Sequence, residues 1–163
     1  MLLILSDADR DRLREHALPE DCVFFRAQRE DAGCCGCFRC WFEHPGSCEK
    51  KDKASSFVRE LSKSDELLIL SKNLFGSYSP EVKNVLDRSI CYLRPSFCIR
   101  NGEMRHKKRY RKSLSVRTVF YGQVSPEEKI SLTRLTAANA VNLYASPREP
   151  SFIDAPDRLE VRS

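Results

Sequence analysis

Long apolar runs are missing from this chain of 163 residues. The two continuous ones, Leu2-Leu3-Ile4-Leu5 and Leu67-Leu68-Ile69-Leu70, are far shorter than the roughly 20 residues that cross a bilayer. No membrane span or secretory leader is expected, and the expected location is cytoplasmic. Histidine is scarce: the three residues at 16, 44 and 106 are too scattered to suggest a histidine metal site. No Ser-His-Asp arrangement is visible that would make a hydrolase. Internal repeats and low-complexity tracts are absent too, which leaves an ordinary globular chain, expected to form a single domain over residues 1–163.

The basic excess is concentrated in one segment. Between Arg94 and Lys112, Glu103 is the only acid, against Arg100, Arg105, Lys107, Lys108, Arg109 and Arg111. The rest of the chain mixes both signs, and the net charge of +5 is modest. Only Phe97 and Tyr110 interleave with the basic residues, so the segment lacks the stacking aromatics of a nucleic-acid module. A basic arm over residues 92–113 is expected, suited to an anionic dinucleotide or an acidic electron partner.

What the chain does have is alternation of strand and helix signals. Leu2 to Leu5 reads as a central strand. Residues 7–17 are charged but tolerate a weak helix, which Pro19 ends. Cys22-Val23-Phe24-Phe25 reads as a second strand. Asp52 can cap a helix whose Ala54, Phe57, Val58 and Leu61 share a face. The run at Leu67 is a third strand, followed by a polar loop and a helix that Ser79 caps and Pro80 opens, with Val82, Val85 and Leu86 on one face. Residues 116–121, rich in β-branched and aromatic residues, form a fourth strand. Ser125-Pro126-Glu127-Glu128 is a capping box opening a helix to about Tyr144, and a short edge strand is expected over Ser151–Ile153. Such alternation predicts a three-layer α/β/α sandwich around a parallel sheet of about five strands. In such sheets ligands bind where strand ends meet loops, which singles out residues 71–79.

Gly36-Cys37-Phe38-Arg39-Cys40-Trp41, Pro45-Gly46-Ser47-Cys48, Asp52, the run from Phe75 to Arg88, Gly102-Glu103-Met104-Arg105-His106 and Arg109-Tyr110 together resemble the flavodoxin-like proteins related to NAD(P)H-dependent FMN reductases and iron-sulfur flavoproteins. The likeness covers roughly residues 34–145. It implies the flavodoxin-like strand order 2-1-3-4-5, FMN at the carboxyl edge of the sheet, NAD(P)H as substrate, electron transfer to an acceptor, and a homodimer. By position, Asn73, Phe75, Gly76, Ser77, Tyr78 and Ser79 would contact the isoalloxazine, with Tyr121 and Gly122 at the adjoining strand end. Ser6, Asp7 and Arg10 would lie near the phosphate. The chain departs from the family at this last point: Ser6-Asp7-Ala8-Asp9-Arg10 has no glycine and carries two carboxylates, which repel a phosphate by about 1 kcal/mol per unit charge at contact in water. Lys72 and Leu74 stand where a proline and an aromatic are usual. The alternative is a flavodoxin-like protein that has lost its flavin and serves as a binding or assembly module.

Eight cysteines, in a reducing compartment, point to metal, redox work or packing. Cys34, Cys37 and Cys40 are spaced by two residues, with Cys48 eight positions on, inside a cysteine loop at 33–49. The spacing resembles the [4Fe-4S] ligand set of iron-sulfur flavoproteins. The same four sulfurs would suit zinc, or could be free or redox-active thiols. Cys22, Cys91 and Cys98 read as structural thiols. Asp87 and Arg88 either orient the loop or form a surface pair. His106, with Arg109 and Tyr110, either reaches a cofactor of a neighbouring subunit or sits on the exposed arm.

Overall fold

The computed structural model of the protein describes residues 1–14 and 18–161. Five parallel strands form its main sheet: β1 (Leu2–Ser6), β2 (Val23–Arg26), β3 (Glu66–Lys72), β6 (Ser115–Tyr121) and β7 (Ser151–Ile153), in the order β2-β1-β3-β6-β7. Leu3 pairs with both Val23 and Leu67, and Ile69 with Thr118, so the apolar runs occupy the sheet centre, as their continuous hydrophobicity requires. Counted within this sheet alone the order is the expected 2-1-3-4-5. It differs in chain numbering because a separate two-stranded hairpin, β4 (Leu93–Arg100) and β5 (Glu103–Lys108), is inserted before β6.

Alternation along each strand divides the core. Leu3, Leu5, Leu67, Ile69, Val116 and Phe120 face three helices, α2 (Phe57–Lys63), α3 (Pro80–Arg88) and α4 (Pro126–Asn142). Ile4, Leu68, Leu70, Val119 and Tyr121 face the other way, onto Ala8, Leu13 and Leu159. The chain is thus an α/β sandwich with one helical layer and one thin layer of 3-10 turns and extended chain among the described residues. The helix expected over 7–17 is reduced to a 3-10 turn at Arg10–Arg12, and residues 15–17 lie outside the described ones. Its acids are drawn elsewhere: Asp7 accepts the Lys72 amide at 3.0 Å and Asp9 pairs with Arg26 at 2.8 Å, so neither stabilises a helix start.

The expected helix caps form. Asp52 accepts from the Ser55 amide at 3.2 Å, ahead of a 3-10 turn that leads into α2. Ser79 accepts from the Val82 amide at 3.3 Å, and Ser125 with Glu128 makes both halves of a capping box. A single helical turn within the cysteine loop, α1 (Arg39–Phe42), was not anticipated.

The segment expected as a basic arm is the β4–β5 hairpin. Asn101 and Gly102 turn it with φ of 52° and 79°, a pair of left-handed residues whose twist suits adjacent strands. Pro95, which has no N–H to donate, falls where the register shifts between Leu93 and Phe97. The hairpin is bound to the end of α4: Arg105 donates to Asn142 Oδ1 at 2.6 Å, Arg100 to the Val141 carbonyl at 3.3 Å, and the Tyr144 hydroxyl to the His106 carbonyl at 2.7 Å. No helix among the described residues is long and apolar enough to cross a membrane.

Candidate functional site

Strand order reverses between β1 and β3, and a crevice of about 450 Å³ opens at their carboxyl ends. Of the residues expected at a cofactor, Asp7, Ser79 and Tyr121 line it. Arg10 is exposed on the 3-10 turn beyond, and Ser6 is fully buried beneath.

The loop after β3 is built around Asn73, which is 8% exposed. Its amide donates to the Gln123 carbonyl at 2.7 Å and to Glu128 at 3.0 Å, and its oxygen accepts the Gly76 amide at 3.1 Å. Leu74 and Ser77 exchange backbone hydrogen bonds of 3.1 Å across a two-residue turn, Phe75-Gly76. Gly76 has φ of 73°, and a Cβ there would meet Ser131 Cβ at 3.4 Å, so the turn is seated against α4. Phe75 itself takes φ of 54° and leaves its side chain 97% exposed. A left-handed conformation is costly for an aromatic residue, and here the surrounding hydrogen bonds enforce it. The turn therefore holds an aromatic ring out in solvent, next to Leu74, which lines the crevice.

Other expected contacts have structural duties. Tyr78 is 4% exposed, lies beside Phe120 at 5.2 Å between ring centres, and accepts from Asn139 at 3.2 Å. Ser79 caps α3 and donates its amide to Ser71 Oγ at 2.9 Å. Gly122 donates to the Ile153 carbonyl at 3.1 Å, joining β6 to β7.

The residues around the crevice do not fit the phosphate of FMN in the cradle the resemblance implies. Such a cradle needs free amides at the start of a helix. Here the Ala8 amide is taken by Ser6 Oγ at 2.9 Å, the Lys72 amide by Asp7, and only a 3-10 turn follows β1. The lining carries four carboxylates (Asp7, Asp9, Glu30, Glu81) against three cations (Arg26, Arg29, Lys72), so a phosphate gains no net attraction. Burial, and then the Asp7 charge, push the Tyr121 phenol well above its ordinary pKa, leaving it neutral.

A second cleft, of about 1300 Å³ and mainly apolar, lies between the cysteine loop, α3, the hairpin and the end of α4. Arg88 holds the loop against it. Its side chain is 1% exposed, and Nη1 donates to Asp52 Oδ2 at 2.6 Å and to the Ala32 carbonyl at 3.0 Å. Nη2 donates to Cys48 Sγ at 3.4 Å, and Nε has no partner among the described residues. Burial opposes the Arg88 charge, but the bonds to Asp52 and Cys48 more than offset it, and its pKa ends above the ordinary arginine value. Arg88 thus orients the loop, while Asp87 pairs with Lys83 at the surface. Trp41 Nε1 donates to the Ile90 and Leu93 carbonyls at 3.2 and 3.1 Å, and its ring lies between Phe38 and His106. His106 therefore packs against the loop of its own chain.

Cys34, Cys37, Cys40 and Cys48 all line this cleft, joined by Cys35, which the two-residue spacing passed over. The Cys35-Gly36-Cys37 triplet was the signal available for it. All eight cysteines are free thiols, and no three metal-ligating side chains among the described residues stand where they could hold an ion. Burial raises the Cys40 thiol and, with Cys40 as neighbour, pushes Cys91 up to about 12, so both stay protonated. Cys22 and Cys98 are half-buried and lie apart from the cleft, Cys98 against the Tyr144 hydroxyl at 3.6 Å.

Compared with protein-family models and with curated proteins, the chain matches none.

Proposed function

We propose that the chain is a flavodoxin-like oxidoreductase that holds a flavin by its ring at the crevice between β1 and β3 and works with NAD(P)H. The single observation that carries this is the Phe75 turn: a conformationally costly, solvent-held aromatic at the switch point of a 2-1-3-4-5 sheet. A bound flavin supplies the electron chemistry, as isoalloxazines do on any scaffold. The chain's own residues offer Phe75 for stacking and the basic hairpin for an anionic dinucleotide or an acidic electron acceptor. A cytoplasmic homodimer goes with this proposal.

The test is a fluorescence titration of FMN into the full chain and into Phe75→Ala, with NADH and NADPH oxidation followed in the same samples. Stacking on an aromatic contributes about 1–3 kcal/mol, so Phe75→Ala should weaken binding by about 5- to 150-fold. Equal binding by both proteins would remove Phe75 from the site.

A second reading has its own support. Asp7 accepts the Lys72 amide, a backbone donor that a bound phosphate would otherwise use. A protein that had given up flavin would look like this at that loop, and would use the larger, thiol-lined cleft to bind or assemble. It predicts no flavin binding and no nicotinamide oxidation.

A further inference from the structure

The cysteine loop is anchored at both ends and bare at its tip. Arg88 and Asn84 hold its start through the Ala32 and Asp31 carbonyls, and Trp41 ties its helical turn to the segment between α3 and β4. Between these anchors Cys34, Cys35, Gly36 and Cys37 are all exposed on the mouth of the larger cleft. Gly36 has φ of 66°, with no heavy atom within 4 Å of where a Cβ would stand. Gly36 thus faces open space, and both sulfurs can be approached from the cleft.

We propose that Cys35 and Cys37 form a dithiol that undergoes exchange with low-molecular-weight disulfides entering the apolar cleft. One of the two sulfurs, as thiolate, attacks a sulfur of the incoming disulfide RSSR; the S–S bond breaks, one RS⁻ leaves, and a mixed disulfide joins the chain to the other half. The second cysteine loses its proton to solvent and attacks the chain's own sulfur in the mixed disulfide, releasing the second RS⁻ and closing a Cys35–Cys37 bond. The chain is oxidised by two electrons, and RSSR is reduced to two thiols. Of the three remaining cleft cysteines, Cys48 bonds to Arg88 and Cys40 is turned toward buried Cys91, while exposed Cys34 adjoins Cys35 directly, without the glycine that separates Cys35 from Cys37. This site is independent of the flavin crevice.

The experiment uses the full chain, reduced and freed of reductant, with glutathione disulfide as probe and peptide mass mapping as readout. The expected result is one peptide, spanning Cys35 and Cys37, that loses two hydrogens while two glutathione thiols are released per chain. Cys35→Ser and Cys37→Ser should each stop at a mixed disulfide on the remaining sulfur, and Cys22→Ser, on the opposite face of the sheet, should behave as the parent. Glutathione spread evenly over the exposed cysteines, with no internal bond, would overturn the proposal. So would iron or zinc retained on these sulfurs that blocks exchange until a chelator removes it.

Discussion

Replacing Asp52 with asparagine isolates one charge at the junction that organises the cysteine loop. Asparagine caps a helix about as well as aspartate, so the bond from the Ser55 amide can persist. What is lost is the carboxylate whose Oδ2 accepts from the Ala32 amide at 3.1 Å and from a guanidinium whose side chain is 1% exposed. Removing one member of a buried pair costs about 3–5 kcal/mol, because the other charge stays behind uncompensated. Asp52 is 21% exposed and solvent screens part of the interaction, which places the expected loss near the lower end, about 3 kcal/mol. For a chain of this size that is a fall in Tm of about 6–12 °C by circular dichroism. Arg88→Met should cost less, since the Asp52 carboxylate left behind is partly solvated, and the double variant should recover part of the Asp52→Asn loss because no buried charge remains. A fall below about 2 °C for Asp52→Asn, or a double variant whose loss equals the sum of the singles, would refute the claim that this pair anchors the loop.

The Arg88 hydrogen bond holds the Asp52 carboxyl below its ordinary pKa, so its stabilisation is complete above about pH 4 and is lost as pH falls through the depressed folded value. Urea unfolding at several acidic pH values should show that loss in the parent and a flatter profile in Asp52→Asn. Phe75→Ala, removing a side chain that is 97% exposed, should leave the urea midpoint unchanged within about 0.5 kcal/mol while flavin binding falls, separating a ligand role from a structural one. Gly102→Ala forces a left-handed alanine at φ of 79°, at a local cost of about 1–2 kcal/mol. Hydrogen exchange should then quicken across β4 and β5 and stay unchanged in β1 and β3.

The sheet was legible because its strands announce themselves. Two four-residue apolar runs can only be central, and parallel strands separated by capped helices leave few topologies. The caps at Asp52, Ser79 and Ser125 follow from local chemistry and appear where expected. The hairpin was hidden by its charge: attention to the basic residues obscured Asn101-Gly102 flanked by Phe97, Ile99, Met104 and His106, an alternation that reads as two strands. The first crossover failed as a helix because its carboxylates found partners across space, in Lys72 and Arg26, which no local pattern reveals. The site was half legible. The loop at 73–79 lies at the switch point, yet only the fold shows that Tyr78 and Asn73 turn inward while Phe75 turns out. The larger cleft, made by elements distant in sequence, could not be read at all.

The most direct measurement is a parallel titration of riboflavin and FMN into the full chain. A ring held by the Phe75 turn, beside a phosphate position with no free amide cradle and no net positive charge, predicts that both bind and that their affinities agree within about tenfold, the effect of roughly one unit charge at contact in water. No binding of either, or FMN held several hundredfold more tightly than riboflavin, would contradict it.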